Sequence, residues 1–382
     1  MKILIVPMAA MAETSGPSSR CRLLTEGFRK AGIGVAFCMA EDVNYRVLPG
    51  VKNYFLDVPM PFGLPAVISS RTFPLAQKLG IVSKKTVDCF DQVLWFTGNL
   101  DYRYLKKSTA SVRRAIQEYA PDIVYSEFNI SAIIAAKAEG LPLYVTVSYP
   151  TQYEYAHNAG LAKGLNRLLR ELQLPRVGSA VSLFDWADKS FCPSIRELEP
   201  IEKTDVYFCG SLKTVKPRGR DVPRKNKIVV YMGNGTVSAS KTLNVIKGAF
   251  EKSKYQVYIA SSYLKTCDCS NIHAAPRWKF DKLLDEAVLF INHGGQNSMA
   301  DGLIHGVPQI IIPGKVFERK YNAKSISDNN AGITMDYNDF TAENIRAAAE
   351  RIISSGELAK NAALLGEKLI AAGGVNTIIS NI

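Results

Sequence analysis

Two short apolar runs, residues 288–291 and 309–312, flank a segment of helical spacing, and the turn into that segment reads Asn292-His293-Gly294-Gly295. Apolar runs without polar alternation are the pattern of strands buried on both faces. Parallel strands of that kind need a crossover helix, here with Met299, Leu303 and Ile304 on its apolar stripe and Asn297-Ser298 as its expected caps. Gly306-Val307-Pro308 turns the chain into the second strand. The unit is β-α-β, so the chain around it is expected to form an open α/β sheet.

A glycine pair at such a turn makes a seat for phosphate. Gly294 and Gly295 carry no Cβ, so an anion can approach the backbone closely. The first-turn amides and the helix dipole both favour negative charge there. His293 supplies a side-chain group beside the same point, and Asp301, one helical turn beyond Asn297, suits ribose hydroxyls. The alternative reading of the same residues is a tight turn with a core histidine.

The wider spacing, HGGQNSMADGLIHGVPQIIIP followed by ERKYNA, resembles the donor-binding signature of the UDP-glycosyltransferase superfamily, the inverting family 1 glycosyltransferases. The resemblance is close over residues 277–332 and holds in outline elsewhere. It implies the GT-B fold, two doubly wound Rossmann-like domains facing across a cleft. It also implies that His293, Gly294, Gly295 and the Asn297-Ser298 helix start hold a donor diphosphate, with Asp301 on the ribose. The family's Asp-Gln pair that reads the donor sugar falls on Glu318-Arg319, which keeps the acid and replaces the amide by a cation. The family's uracil-stacking Trp loop corresponds to Arg277, Trp278 and Phe280, with Arg277 at the Trp position and Trp278 one residue later. Gly233-Asn234-Gly235-Thr236, after an apolar run at 228–232, resembles the family's turn whose amides and hydroxyl can reach the donor phosphates or the acceptor.

The base that takes the acceptor's proton does not transfer so directly. In the family the first loop carries Gly-His, and that His is the base; the aligned pair here is Gly16-Pro17, and the first His in the chain is His157. The role passes to Glu127 at the end of a strand, to Glu13 in the first loop, or to His157 in a Tyr-rich loop. As single residues each also reads as a surface or hydrogen-bonding group.

Composition bounds the rest. A chain of 382 residues with 47% hydrophobic and 21% charged content suits two globular domains. The expected division is an acceptor-binding domain at 1–210, a linker at 211–225, a nucleotide-sugar domain at 226–366, and a final helix at 367–382 packing back on the first domain. Seven Cys without a secretory signal fit reduced thiols in the cytoplasm. Cys267, Cys269 and His273 give too few ligands for a zinc pattern, so no metal or cofactor is expected beyond the sugar nucleotide itself. The net charge of +12, dense between Lys213 and Lys227, favours anions such as a nucleoside diphosphate or the inner face of a membrane. Nucleic acid has no supporting motif. Residues 57–110 mix prolines, aromatics and lysines, as a segment lining an acceptor site or resting on a membrane would.

The reading is an enzyme, a metal-independent glycosyltransferase moving a sugar from a UDP-sugar or other NDP-sugar to a hydroxyl of a small-molecule or lipid-linked acceptor. Its rivals are a nucleotide-sugar epimerase of the same fold and a non-catalytic sugar-nucleotide-binding partner of another transferase.

Overall fold

The computed structural model describes residues 1–10, 15–42, 45–61, 86–213, 226–233 and 236–382. Two compact units divide the chain, one made of Met1–Pro74, Asp88–Lys213 and Gly373–Ile382, the other of Leu75–Val87 and Thr214–Ala372. Most of the expected linker, 214–225, lies outside the described residues.

The first unit holds seven parallel strands: β1 (Lys2–Pro7), β2 (Gly34–Ala40), β3 (Lys52–Leu56), β4 (Ile123–Glu127), β5 (Leu143–Thr146), β6 (Lys189–Cys192) and β7 (Val206–Phe208). Their order is β3-β2-β1-β4-β5-β6-β7. The helices are α1 (Ser15–Lys30), α2 (Phe90–Phe96), α3 (Tyr102–Tyr119), α4 (Ile130–Glu139) and α5 (Lys163–Glu171). Ile3, Leu4, Ile5 and Val6 are all fully buried, which is why β1 reads as an unbroken apolar run rather than an alternating one. Local signals set the helix ends: Asn129 caps α4 by accepting from the Ala132 amide, and Gly140, at φ +67°, ends it.

The second unit repeats the plan. Its strands are β8 (Lys227–Tyr231), β9 (Gln256–Ala260), β10 (Cys267–Cys269), β11 (Ile272–Ala275), β12 (Ala287–Asn292), β13 (Gln309–Ile311) and β14 (Gly332–Thr334). The order is β10-β11-β9-β8-β12-β13-β14, with only β10 antiparallel, at an edge. Its helices are α6 (Ala239–Phe250), α7 (Phe280–Leu284), α8 (Gln296–Ile304), α9 (Phe317–Asp328), α10 (Ala342–Ser355) and α11 (Glu357–Ala371). One face of the sheet packs Ile228, Val230, Leu289, Ile291 and Ile310 against Ile246, Phe250, Ile345 and Ile352.

After α11 the chain breaks at Gly373 and Gly374, both at positive φ, and a last helix, α12 (Val375–Ser380), belongs to the first unit. The return therefore begins at Gly373, later than residue 367. Val375 packs where Gly27 of α1 leaves room, since a Cβ there would fall 2.3 Å from Val375 Cγ1. The stretch Glu357–Ser380 has the length and apolar content of a membrane span, but the paired glycines split it into two helices.

Candidate functional site

In the second sheet β8 lies between β9 and β12, so the strand order reverses at β8. Loops leaving the carboxyl ends of two strands at such a switch point open a crevice, the usual ligand position in open α/β sheets. The two strands end in register, Asn292 opposite Tyr231, which brings Gly233 and His293 together. The His293 imidazole is held between two glycines. A Cβ on Gly233 would lie 2.9 Å from its Cε1, and one on Gly295 would lie 2.7 Å from its Nε2.

The ring is 8% exposed and meets Tyr231 edge-on, with centroids 5.4 Å apart. Its Nδ1 lies 3.4 Å from the Tyr231 carbonyl, which can only accept, so Nδ1 carries the proton. Burial, reinforced by the Arg319 cation, pushes the His293 pKa down to about 3 against the weaker opposing pull of the Tyr231 carbonyl. The side chain is therefore neutral near pH 7, with its Nε2 lone pair between the glycines.

Gly294 follows at φ +80°, and a Cβ there would sit 2.9 Å from Ile311 Cγ2. Only glycine fits both the dihedral and the space. The helix start differs from the sequence expectation. Gly295 itself is the N-cap of α8 and offers no side-chain cap bond, while Asn297 and Ser298 occupy the second and third helical positions. The cap thus contributes no side-chain acceptor to the first-turn amides, which suits an external anion. Asp301 is half-buried, further along α8.

Glu318 and Arg319 lie in the first turn of α9. Arg319 Nη1 donates to the Thr236 hydroxyl at 2.6 Å, tying the loop after β8 to the helix that follows β13. Burial lowers the Arg319 pKa, opposed by Glu318 and Tyr231. The Arg319 cation is thus held by Thr236 and set against His293. Gly235 lies outside the described residues.

The expected base-stacking loop packs partly against the sheet. Trp278 donates its indole N–H to the Ile259 carbonyl at 3.1 Å and packs edge-on to Tyr258. Phe280 packs on Tyr231 and Phe290. Both rings are half-buried and pack against the core beneath β8 and β12, and the Trp278 N–H near the sheet end finds a carbonyl there. Arg277 alone of the three is exposed.

In the first unit, Glu127 ends β4 and is fully buried. Arg20 Nε donates to one carboxylate oxygen at 2.5 Å, and the Thr146 hydroxyl donates to the other. The carboxylate put forward as a proton acceptor is thus fully buried, with a hydrogen-bond donor on each oxygen. His157 is exposed in the loop after β5, stacked on Tyr153 with centroids 3.7 Å apart. Its Nδ1 lies 3.0 Å from the Tyr153 carbonyl, leaving Nε2 as a lone pair facing outward when the ring is neutral. The neighbouring Asn158 amide is anchored by the buried Asp91 carboxylate at 2.8 Å. Glu13 lies outside the described residues.

His273 bonds Asp268 through Nδ1 and Gln256 through Nε2, the latter at 2.8 Å, so neither nitrogen is left for a metal shared with Cys267 and Cys269. Among the described residues no group of three or more His, Cys, Asp or Glu is placed to hold a metal ion.

Sequence reasoning missed three buried amides, Asn292, Gln309 and Asn322, which surround the Gly294 turn. A polar residue at each end of an otherwise apolar strand was the available signal.

The two open parallel sheets define the GT-B fold. The structure resembles the calicheamicin glycosyltransferase (TM-score 0.74, 15% identity, covering 100% of this chain and 96% of that one). It also resembles the spinosyn rhamnosyltransferase solved with thymidine diphosphate (TM-score 0.69, 15% identity, 100% and 99%). Residues 267–381 match the model for the C-terminal domain of erythromycin biosynthesis protein CIII-like proteins. The chain is 28% identical over 110 residues to the aclacinomycin-T 2-deoxy-L-fucose transferase of Streptomyces galilaeus, covering 28% of this chain and 25% of that protein. It is 27% identical over 141 residues to an NDP-glycosyltransferase of Bacillus subtilis, covering 35% of each. The chain thus spans about a third or less of the length of these curated relatives. The chain is thus similar in sequence, over part of its length, to named glycosyltransferases, and it shares its fold with solved ones.

Proposed function

We propose that the protein transfers a glycosyl group from a nucleoside diphosphate sugar to a hydroxyl group. The observation that carries this reading is the seat made by Gly233, His293, Gly294, Gly295 and the α8 start, with Arg319 beside it. Backbone amides and an ordered guanidinium there suit the charge that develops on a departing diphosphate. A diphosphate stabilised in that way needs no bound metal. The uridine and thymidine diphosphates are equal candidates, because the half-buried Trp278 and the exposed Arg277 offer a ring face and a cation that suit either base. Deoxysugar transferases among the relatives and neighbours favour a deoxyhexose and a small-molecule acceptor.

Displacement with inversion requires a base for the acceptor hydroxyl. His157 suits this role better than Glu127, since its Nε2 is an outward lone pair whereas the carboxylate oxygens are spent. A thermal-shift screen across UDP-, dTDP- and GDP-sugars tests the donor, since ligand at a hundredfold excess over Kd adds about 2.7 kcal/mol to the native state. No shift with any of them refutes the donor site. His157→Ala is expected to cut turnover roughly a hundredfold or more with the melting temperature unchanged. Full turnover in that variant removes His157 as the base.

A further inference from the structure

The glycine turn is held by a chain of side-chain amides that the family resemblance does not specify. Gly294 donates its N–H to Asn292 Oδ1 at 2.8 Å, and its carbonyl accepts from Asn322 Nδ2 at 2.8 Å. Both polar groups of that residue are thereby tied to side chains, one at the end of β12 and one inside α9. Asn292 passes the constraint on: its Nδ2 donates to Gln309 Oε1 at 2.7 Å. Gln309 Nε2 in turn donates to the Met299 carbonyl at 2.9 Å, within α8. Asn292 and Gln309 are 0% exposed and Asn322 is 1% exposed.

The direction of every bond in this relay is fixed by its ends. An N–H at Gly294 can only donate, and a carbonyl at Met299 can only accept, so the Asn292 and Gln309 amides have one permitted orientation each. A flip of either would set N–H against N–H or oxygen against oxygen. The helix gives way to make room, since a Cβ on Gly302 would lie 2.6 Å from Gln309 Nε2.

Stability does not explain such an arrangement. Three buried amides must be desolvated, and an apolar core of the same shape serves folding about as well. What the relay does that an apolar core cannot is to fix how the Gly294 peptide is turned relative to the start of α8. We propose that Asn292, Gln309 and Asn322 are positioning residues that hold the Gly294–Gly295 backbone ready for the donor's diphosphate. This rests on the donor reading above.

The test measures binding of UDP and of thymidine diphosphate to the full chain by calorimetry, with melting temperatures recorded in parallel. Gln309→Met conserves volume while removing both of its bonds. Its nucleotide Kd is expected to rise roughly tenfold or more, because small misplacements of binding groups are costly, while the melting temperature falls but the protein stays folded at the assay temperature, Asn292 Nδ2 and the Met299 carbonyl having lost their partner. In turnover assays the donor KM rises and the acceptor KM stays put, a split that a general loss of structure does not give. Asn322→Ala, which cuts the relay at the opposite side of Gly294, serves if Gln309→Met fails to fold, and is expected to weaken nucleotide in the same way. Unchanged nucleotide Kd in either folded variant overturns the relay while leaving the proposed function standing. Wild-type protein that takes up neither nucleotide overturns the proposed function, and the relay's role with it.

Discussion

His293 is placed where the fold must keep it uncharged, and that has a measurable effect on stability. An imidazole that is free in the unfolded chain titrates near 6.5, whereas burial and the Arg319 cation bring the folded value to about 3. Below pH 6.5 the unfolded chain therefore binds a proton that the folded chain refuses. Stability contributed by this group is fully present above pH 6.5 and is lost as the pH falls from there toward 3. Each pH unit in that window is worth about 1.4 kcal/mol, so lowering the pH from 7 to 5 removes roughly 2 kcal/mol. Replacing His293 by Gln deletes the group that titrates. The variant's unfolding free energy should then fall less than the wild type's over the same interval, by that amount.

Chemical unfolding followed by fluorescence suits the measurement, because Trp278 is the Trp of the second unit while Trp95 and Trp186 belong to the first. Substituting the latter two by Phe isolates the signal. Carboxylates elsewhere also titrate between pH 7 and 5, but they are common to both proteins and cancel in the difference. Equal pH dependence in wild type and His293→Gln would show that the imidazole is not held neutral, and the electrostatic account of the site would fail.

The same proton bears on binding, since Nδ1 is turned to the Tyr231 carbonyl and a diphosphate oxygen at Nε2 needs a hydrogen there. Nucleotide binding should take up a proton near pH 7, seen as a dependence of calorimetric heat on buffer ionisation enthalpy; none would place the phosphate elsewhere. Gly295→Ala puts a Cβ 2.7 Å from His293 Nε2, so it should weaken UDP or thymidine diphosphate roughly tenfold while the protein remains folded, and unchanged affinity would count against the seat. Glu127→Gln leaves the buried Arg20 without its counter-charge and should cost on the order of 3 kcal/mol of stability, yet turnover per folded molecule should persist. Loss of turnover in a fully stable Glu127→Gln would restore that residue as the base.

The βα unit of the second half was legible because its strands are continuous apolar runs and its turn carries two glycines, signals that are local and geometric. His293, Gly294, Gly295 and Gly233 could be named from spacing, and the register that sets Tyr231 opposite Asn292 brings them together. The direction of a side chain was not legible. Trp278 reads as a stacking platform in sequence, but nothing there reveals that its N–H is anchored on the Ile259 carbonyl with the ring half-buried. Glu127 reads as an acid at a strand end, and nothing in its neighbourhood reveals that Arg20, more than a hundred residues away, supplies the counter-charge. Partners contributed by distant segments decide protonation and orientation, and no window of sequence holds them.

The relay amides show the same limit from the other side. Asn292 and Gln309 break the apolar pattern of β12 and β13 at positions where leucine would cost nothing in burial, and a pattern reading passes over them as strand ends. Their meaning depends on a single crossing, where Asn292 Nδ2 meets Gln309 Oε1 at 2.7 Å. From that contact the consequences run outward in both directions, to the peptide at Gly294 and to the carbonyl at Met299. A neutral histidine, an arginine bonded to Thr236 and a backbone turn with one permitted orientation meet at this point. An anion that accepts from the turn's amides and the Arg319 guanidinium would use all three, and this makes the Gly294 turn the place to look for the ligand.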